Sequence, residues 1–497
     1  MSGIAGMIGN DGSPVDRLLE AIRHRGLGGV WKGEQGSVRL GIRELHAGGE
    51  NPPGTHRAMR GETVVVMDGR VYNKDLRHLS DAEAVLDLYE RFGRNFAGHI
   101  DGDFACAVAH DDTLILARDE AGIKPLYYGH DKAGNLCFAS EAKAFAGISV
   151  DVREFPPGHV YSREGGFRRF FSKAVDTPEC ESYDQAKRVV RALLEKAVEK
   201  RMSDGAVTGV LLSGGLDSSI ITAIAARIDP DIECYTVSME GAADLPLARD
   251  VTEFLGLKHH VYMFDEQEIA GVLREAIYHQ EMFEESCIHG AIANFLAGRF
   301  IRGKATCVLS GEGADEYFAG YDGQYRVAEN PEERSAIVNS LVNVAHNTAL
   351  QRLDRLNAAN GVESRMPFLD AAVMDFALKI PLEYKIHGAD EVGKWILRDA
   401  FEDSLPEHLI YQTKRFFSQG SGVSSVMRRM AEQNVSEAEL EAFNRRPGNP
   451  LLSSVEELYY YRIFKETYSH PCFDRLVGRW DPLRPAFFTS WEKPVYE

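Results

Sequence analysis

The spacing of apolar residues divides the chain into two parts with different patterns. Up to about residue 172, short apolar runs alternate with turns that contain Asp and Gly, as in VVVMDGRVYN and GDFACAVAHDDTLILARD. This alternation is typical of strands joined by tight turns. Helical periodicity predicts helices at 14–24 and 81–93. The first part therefore predicts an α+β sandwich.

A polar interval, which we interpret as a linker at 173–184, precedes the change of pattern. From Tyr183 onward, apolar residues recur at steps of three and four, which predicts a helix. Apolar runs at 207–212, 233–239 and 304–310 then alternate with turns and helical segments, an order that indicates a parallel sheet with helices on both faces. After about residue 320 the pattern is mostly helical. We assign the second domain to 185–497.

Composition and charge narrow the class of function. The chain has 497 residues and a net charge of -19, which opposes binding to nucleic acid, because that binding depends on clustered Lys and Arg. No apolar run is long enough to span a membrane, and the N-terminus lacks the pattern of a secretory signal, so we expect a cytoplasmic protein. The seven cysteines show no CxxC spacing that would indicate a zinc site. Chemistry on small molecules fits these properties best.

The strongest motif is Ser213-Gly214-Gly215-Leu216-Asp217-Ser218-Ser219, which follows a predicted strand and begins a predicted helix. Glycines allow close backbone approach to an anion, and the N–H groups at a helix N-terminus bind phosphate. A carboxylate beside phosphates is repulsive unless a cation lies between them, so Asp217 indicates Mg²⁺. The motif resembles the pyrophosphate-binding loop of the N-type ATP pyrophosphatases. It lacks the lysine of a Walker A loop.

A second loop, Ser310-Gly311-Glu312-Gly313-Ala314-Asp315-Glu316, follows the third predicted strand. Open α/β sheets bind ligands at the carboxyl ends of their strands, so this loop should lie beside the first one. Gly residues for close approach and Asp residues for a cation then form one composite site, with Asp217 and Asp315 as the expected metal ligands.

Further motifs make the resemblance specific. They are His24-Arg25-Gly26, Tyr72-Asn73, Asp101-Gly102-Asp103-Phe104, Arg118-Asp119, Gly122 to Tyr128, Ser140-Glu141-Ala142-Lys143, Gly361 to Asp370, and Lys414 in YQTKRFFSQGSG. With the two loops, they make the chain similar to the glutamine-dependent asparagine synthetases along nearly its whole length.

That resemblance implies the fold and the reaction. It implies an N-terminal nucleophile (Ntn) hydrolase-type sandwich at 1–172, like the class II glutamine amidotransferases. An α/β adenine-nucleotide α-hydrolase domain, also called an ATP pyrophosphatase domain, would follow. A substrate carboxylate would attack the α-phosphate of ATP, and a nitrogen nucleophile would then displace AMP from the acyl-adenylate.

The resemblance also implies roles for individual residues, with ATP and Mg²⁺ as cofactors. Glu312 would take a proton from the attacking amine, and Lys414 would neutralise charge that develops on the phosphate. We expect nucleotide contacts from Leu212, Ser213, Gly214, Gly215, Leu216, Asp217, Ser218, Ser219, Val237, Ser310 and Gly311.

The glutaminase half departs from the family. The family's N-terminal Cys nucleophile is Ser2 here, and a serine hydroxyl is a weaker nucleophile near neutral pH. The family's Asn-Gly-Glu is Asp68-Gly69-Arg70, which places a carboxylate at the oxyanion site and a cation where the ammonium group of glutamine should bind. The glutamine-carboxylate arginine aligns with Glu44, although Arg43 is adjacent. Asp81 is retained. We therefore expect no glutamine hydrolysis, with the domain kept as a structural cover or for another ligand.

The acceptor side departs as well. Where the family has a Thr-rich run that ends in an Arg for aspartate, this chain has Ser286-Cys287-Ile288-His289, preceded by Glu281, Glu284 and Glu285. A histidine replaces an arginine only in part, because it loses its charge near neutral pH. Aspartate is therefore a doubtful substrate. The substrate candidates are Glu284, His289 and Glu316. The acidic residues either form a solvated face or select a basic substrate.

Three functions remain open. The first is a synthetase that joins a small-molecule carboxylate to ammonia or an amine, and retention of Glu312 favours it. The second is an intramolecular cyclase like the β-lactam synthetases or lasso-peptide cyclases. The third is a non-catalytic nucleotide-binding protein, which would have little reason to keep Asp217, Glu312, Asp315 and Lys414 together. The sequence leaves open the nitrogen donor, a separate ammonia source and a homodimer.

Overall fold

A computed structural model gives the structure of the protein. It describes residues 2–9, 13–44, 56–170, 179–206, 208–321, 325, 328–388, 390–412, 420, 422–481 and 484–490. Within these ranges, no helix has both the length and the apolar character needed to cross a membrane.

The N-terminal domain is a sandwich of two six-stranded antiparallel sheets, with strand orders β10-β8-β9-β1-β3-β2 and β12-β11-β7-β6-β5-β4. The strands are β1 (Ser2–Ile8), β2 (Gly29–Gln35), β3 (Val38–Glu44), β4 (Arg57–Arg60), β5 (Thr63–Val71), β6 (Gly102–His110), β7 (Thr113–Arg118), β8 (Tyr127–His130), β9 (Leu136–Ala139), β10 (Arg153–Glu154), β11 (His159–Ser162) and β12 (Gly166–Arg169).

One apolar core lies between the two sheets, and a helix covers the outer face of each sheet. Ile4 and Leu40 of the first sheet pack with Val66 and Leu116 of the second. Helix α1 (Ser13–Ala21) packs on β1, and α2 (Asp81–Phe92) packs on β5. The sandwich and both predicted helices are confirmed. Apolar runs that alternate with Asp/Gly turns predicted this architecture, and the central strands are buried along nearly their whole length because one face lies in the inter-sheet core and the other lies under a helix.

The second domain contains a five-stranded parallel sheet with strand order β15-β14-β13-β16-β17. The strands are β13 (Thr208–Leu211), β14 (Glu233–Ser238), β15 (His259–Met263), β16 (Cys307–Leu309) and β17 (Glu363–Arg365). The three strands predicted from apolar runs are present. The other two, β15 and β17, lie at the sheet edges and have no apolar run.

Helices pack on both faces of this sheet and continue toward the C-terminus. They are α3 (Tyr183–Met202), α4 (Leu216–Ile228), α5 (Asp244–Leu255), α6 (Glu266–Gln280), α7 (Glu285–Ile301), α8 (Ala314–Tyr317), α9 (Pro331–Val344), α10 (Ala349–Ala358), α11 (Ala371–Lys379), α12 (Leu382–Lys385), α13 (Trp395–Ala400), α14 (Glu407–Ile410), α15 (Val423–Asn434), α16 (Glu437–Asn444) and α17 (Val455–Thr467).

Short 3₁₀ turns and one hairpin complete the described structure. The 3₁₀ turns are Arg23–Arg25, Lys74–Leu76, Gly93–His99, Ala142–Phe145, Ala345–Asn347, Pro367–Leu369 and Pro471–Leu476, and the hairpin consists of β18 (Gly478–Asp481) and β19 (Arg484–Ser490). Helix α3 begins at Tyr183, inside the interval predicted as a linker, because the side chain of Ser182 caps it by accepting a hydrogen bond from Gln185 N–H.

Candidate active site

The phosphate loop lies between the carboxyl end of β13 and the start of α4. Gly214 has φ +85°, and a side chain there would collide with the backbone of α5, since a Cβ would lie 2.6 Å from Ala248 N. Gly215 caps α4 in an extended conformation, and its N–H donates to Ser213 Oγ over 3.3 Å. The tight turn therefore leaves the first N–H groups of α4 at the end of the sheet, where an anion can bind.

The side chains of this loop divide into two groups. Leu212, Leu216 and Val237 are buried in the core, so only their backbone atoms can contact a ligand. The hydroxyl of Ser218 lies 3.0 Å from Ser213 Oγ, and Ser219 Oγ donates to Gly215 O over 2.8 Å. The serines therefore hold the shape of the loop.

The second loop lies directly against the first one. A Cβ on Gly311 would lie 2.6 Å from Ser218 N and 2.7 Å from Asp217 Cβ. Only glycine allows this approach, which confirms the prediction that the two loops lie beside each other. Ser310 N–H donates to Arg365 O over 3.0 Å and so fixes the loop to β17.

A lysine that the sequence analysis did not select joins the two loops. Lys394 Nζ lies 2.5 Å from Asp217 Oδ2 and 2.6 Å from Asp315 Oδ1. The lysine side chain is only 3% exposed. The two carboxylates predicted to hold a metal thus converge on one cationic position, and their oxygen donors fit Mg²⁺.

The backbone around Lys394 is specialised for this contact. Lys394 has φ +57°, a conformation that is uncommon for residues other than glycine, and its N–H donates to Phe318 O over 3.1 Å. A Cβ on Gly320 would lie 2.1 Å from both Lys394 Cε and Asp315 Oδ1. A strained lysine beside an obligatory glycine is typical of a functional site.

Glu312, the predicted proton acceptor, forms an ion pair with Arg352 of α10. The distance between Arg352 Nη2 and Glu312 Oε2 is 2.8 Å, and both side chains are mostly buried. Burial by itself would lower the pKa of the Arg352 guanidinium, but the charge of Glu312 raises that pKa. Lys414, the second predicted catalytic residue, lies outside the described residues.

Glu316 lies behind the two carboxylates of the site. Tyr321 Oη donates to Glu316 Oε1 over 2.5 Å. Burial and the nearby charges of Asp315 and Glu312 raise the pKa of Glu316 to about 7. Its position in the interior supports a structural contact with Tyr321 more directly than a contact with substrate.

The other two substrate candidates lie at the start of α7. Glu284 caps the helix by accepting from Cys287 N–H over 2.8 Å. His289 is buried, and its Nε2 lies 2.6 Å from Glu456 Oε2 of α17. Glu285 adds a second carboxylate, since Glu285, His289 and Glu456 have ligand atoms within 4.8 Å of one another. The histidine is therefore engaged with a carboxylate on the neighbouring helix.

In the N-terminal domain, Ser2 begins β1 in a fully buried position. Its N–H donates to Asp68 Oδ1 over 2.9 Å, and its Oγ has no hydrogen-bond partner among the described residues. Asp68 Oδ2 accepts from Arg25 Nη2 over 2.8 Å. The same nitrogen of Arg25 also donates to Asp354 Oδ2 of α10 over 2.8 Å. Asp68 is therefore joined through one guanidinium to the second domain.

Arg70 makes the second connection of this kind. Its Nη2 lies 3.1 Å from Glu363 Oε2, and its Nη1 lies 3.3 Å from Asp81 Oδ2. Although burial alone would raise the pKa of Glu363, Arg70 and Arg365 hold it well below its usual range. The guanidinium is therefore fixed by buried carboxylates of both domains.

The positions of Arg43 and Glu44 decide whether Arg43 could replace the arginine that the family uses to bind the carboxylate of glutamine. Arg43 extends away from Ser2, since its guanidinium donates to Glu20 over 2.7 Å and to Leu19 O over 3.1 Å. Glu44 is the residue of β3 that pairs with Ser2, and it lies 3.5 Å from Arg57 Nε. Arg43 therefore does not replace the missing arginine.

Gly69 has φ +124°, and a Cβ there would lie 1.8 Å from Asp103 O of β6. The glycine is therefore required by the close approach of two strands. It holds Asp68 and Arg70 on either side of the bend.

Family models match both halves of the chain. A glutamine amidotransferase domain matches residues 1–156, and asparagine synthase matches residues 189–347 and 328–491. Asparagine synthetase [glutamine-hydrolyzing] 2 from Arabidopsis thaliana is 34% identical over 439 residues, which cover 82% of this chain and 75% of that protein. The root asparagine synthetase [glutamine-hydrolyzing] from Pisum sativum is 32% identical over 513 residues, which cover 94% and 87% of the two chains.

Solved structures show weaker similarity. The glutamine phosphoribosylpyrophosphate amidotransferase from B. subtilis is 17% identical, with a TM-score of 0.30, over 52% of this chain and 65% of that one. NMN synthetase from Francisella tularensis is 13% identical, with a TM-score of 0.27, over 59% of this chain and 96% of that one.

Proposed function

This chain belongs to the asparagine synthetase family, and we propose that it joins a small-molecule carboxylate other than aspartate to ammonia or an amine without hydrolysing glutamine. Family membership makes it an ATP-dependent carbon–nitrogen ligase that forms AMP and pyrophosphate. The observation that carries the proposal on glutamine is the position of Asp68 and Arg70. Arg70 pairs with Glu363 of the second domain, and Asp68 pairs with Arg25, at the positions where the family binds glutamine.

The first step is adenylation of the acceptor. The carboxylate oxygen attacks the α-phosphorus of ATP, the bond to the bridging oxygen breaks, and pyrophosphate leaves. N–H groups at the start of α4 and the narrow approach at Gly214 and Gly311 support binding of the phosphates here. Asp217 and Asp315 would hold Mg²⁺, which supplies charge neutralisation to the phosphates when it is bound. Lys394, which contacts both carboxylates, would add positive charge beside the phosphates.

The second step forms the amide. A neutral nitrogen attacks the acyl carbon, AMP leaves, and the nitrogen loses a proton. Glu312 is the carboxylate best placed to accept that proton, because it lies on the same loop as Asp315 and its side chain is partly open. Asp315 and Glu316 are less suited, since Asp315 faces Lys394 and Glu316 is buried with Tyr321.

Three features oppose glutamine hydrolysis. Ser2 supplies a hydroxyl that no described residue activates. Asp68 places a carboxylate 2.9 Å from the Ser2 nitrogen, which would hold a free α-amine there in its protonated form and prevent it from acting as a base. Arg70 would repel the ammonium group of glutamine. The curated relatives are named glutamine-hydrolyzing, so this chain would differ from them in its nitrogen source.

The acceptor side supports a substrate other than aspartate. Where a cation would be needed for a second carboxylate, His289 is paired with Glu456 at 2.6 Å, and Glu284 and Glu285 lie beside it. This surrounding is acidic, so it would repel a dicarboxylate and favour an acceptor that carries a basic group.

Pyrophosphate release from ATP and Mg²⁺ tests the synthetase proposal. The enzyme should be assayed with a panel of amino acids and other small carboxylates, with and without ammonium, and products identified by mass spectrometry. We expect release with a basic carboxylate and little with aspartate. Asparagine formation from aspartate would contradict the substrate proposal, and silence across the panel would contradict the synthetase proposal.

Glutamate release from glutamine tests the second part independently. We expect none above the rate of the Ser2→Ala variant, with or without ATP. Turnover that depends on Ser2 would contradict the proposal while leaving the ligase activity intact.

A further inference from the structure

Helix α10 connects two regions of the protein. One is the N-terminal pocket around Ser2, Asp68 and Arg70, which we call the closed glutamine pocket, and the other is the loop that carries Glu312. Asp354 and Arg355 are buried and Arg352 is 14% exposed, and each of these charged side chains pairs with a different segment. Arg352 pairs with Glu312, Asp354 accepts from Arg25 and Lys124, and Arg355 donates to Tyr127 Oη over 2.5 Å. One short helix therefore contacts both the N-terminal domain and the loop that carries the proton acceptor.

Asp354 is the anchor of this helix in the N-terminal domain. It is fully buried and lies 2.8 Å from Arg25 Nη2 and 3.0 Å from Lys124 Nζ. Although burial alone would raise the pKa of Asp354, these two cations lower it. Arg25 is fixed in turn by Asp68 at 2.8 Å and Glu141 at 2.8 Å. Arg25 therefore cannot turn away from Asp354 without leaving buried charges unpaired.

Arg352 is equally constrained on the other side of the helix. A Cβ on Gly290 of α7 would lie 2.2 Å from Arg352 Nη1, so the guanidinium occupies space that a side chain at position 290 would fill. Its second nitrogen donates to Glu312 Oε2 over 2.8 Å. The position of the Glu312 carboxylate therefore depends on the position of α10.

We propose that Arg352 is the positioning residue for Glu312 and that the closed glutamine pocket, through Arg25 and Asp354, holds the helix that carries it. This inference rests on the proposed role of Glu312 in amide formation. It gives the N-terminal domain a task that does not need glutamine. Adenylation does not require proton transfer to Glu312, so the two half-reactions should respond differently to a displaced Arg352.

Variants Arg352→Gln, Arg352→Lys and Asp354→Asn test the inference. Two rates are measured for each, namely ATP–pyrophosphate exchange driven by the acceptor, and amide formation with the nitrogen donor. In Arg352→Gln we expect amide formation to fall about 10²-fold, with exchange almost unchanged, because a misplaced catalytic group costs about this much. Arg352→Lys should recover part of the loss.

Asp354→Asn, which changes α10 at its contact with the N-terminal domain, should also lower amide formation more than exchange. We expect amide formation to fall roughly 2- to 30-fold while exchange is retained. The matched control is Asp103→Asn, which removes a different buried ion pair between the domains, with Arg201 of α3 at 3.1 Å. In the control both rates should change together or not at all.

The outcomes distinguish this inference from the proposed function. A wild-type enzyme without acceptor-driven exchange would remove the proposed function itself. A wild-type enzyme with both activities, but variants in which exchange and amide formation fall in parallel, would overturn the positioning role. An Asp103→Asn enzyme that separates the two rates as strongly as Asp354→Asn would show a general effect of lost ion pairs and would also overturn it. Exchange activity also reports that each variant is folded.

Discussion

Arg70 Nη2 of the N-terminal domain lies 3.1 Å from Glu363 Oε2, at the first residue of β17 in the synthetase domain. Both side chains are less than 10% exposed. By resemblance to the family, residue 70 would bind the ammonium group of glutamine. In this chain it is an arginine that neutralises a buried carboxylate of the other domain. The arginine that we propose excludes glutamine therefore also joins the two domains.

Arg70→Ala should destabilise the protein strongly. It removes the guanidinium that neutralises Asp81 and one of the cations that neutralise the buried Glu363, so we expect a loss of about 3 kcal/mol in the free energy of unfolding. Urea unfolding followed by circular dichroism measures it. The control is Arg60→Ala, which removes an exposed pair with Glu90 and should cost less than about 1 kcal/mol. Equal losses in the two variants would contradict the interpretation.

The sequence predicted what local patterns determine. Short-range periodicity predicted the strands, from apolar runs that alternate with turns, and the helix around Ala82 and Val85. Steric demands predicted the roles of the glycines at 214 and 311. The structure contains all of these features. The sequence also showed that the charges at Asp68 and Arg70 depart from the family pattern.

The sequence could not predict contacts between distant segments. Lys394 was missed because its partners, Asp217 and Asp315, are separated from it by 177 and 79 positions, and an isolated lysine carries no local signal. The segment Gly393-Lys394-Trp395 indicates a functional lysine only when the left-handed backbone of Lys394 is also known. Arg43 and Glu44 point to opposite faces of β3, and the strand register decides which of them pairs with Ser2. A register shift of one residue would exchange the two positions.

Ser2→Cys alone should not restore glutaminase activity. The thiol would be a better nucleophile than the hydroxyl, but Asp68 would still lie at the oxyanion position and Arg70 would still repel the ammonium group. Glutamate release from glutamine, compared with Ser2→Ala, measures the activity. Turnover by Ser2→Cys well above that control would show that the charge changes do not close the pocket.

Acid should destabilise the protein in part through His279. The ring is 8% exposed and packs between His24 and Phe295 at the domain interface. Burial, with smaller effects of Lys143 and His24, lowers its pKa to about 2. Below about pH 6.5 the unfolded chain therefore binds a proton that the folded chain does not, so stability present above pH 6.5 is lost as pH falls.

His279→Phe should remove this contribution. The slope of the free energy of unfolding against pH, measured between pH 6 and pH 4, should decrease by about 1.4 kcal/mol per pH unit, which corresponds to one proton. An unaltered slope in His279→Phe would mean that the histidine does not resist protonation in the folded state.

Lys394→Met should make the structure depend on a divalent cation. In the wild-type protein the ammonium group neutralises Asp217 and Asp315, which come from two separate loops. Without it the carboxylates repel each other, and we expect the thermal midpoint in EDTA to fall by about 4 °C, given ion pairs worth about 1–3 kcal/mol. Mg²⁺ alone, without ATP, should then raise the midpoint of the variant more than that of the wild type, because a cation can take the position between the two carboxylates. The double variant Lys394→Met/Asp217→Asn replaces one of the two carboxylate ligands with a neutral amide and should respond less to Mg²⁺. If Mg²⁺ stabilises all three proteins equally, Asp217 and Asp315 do not form a cation site, and Lys394 is a structural ion pair whose replacement should also leave Mg-ATP affinity unchanged.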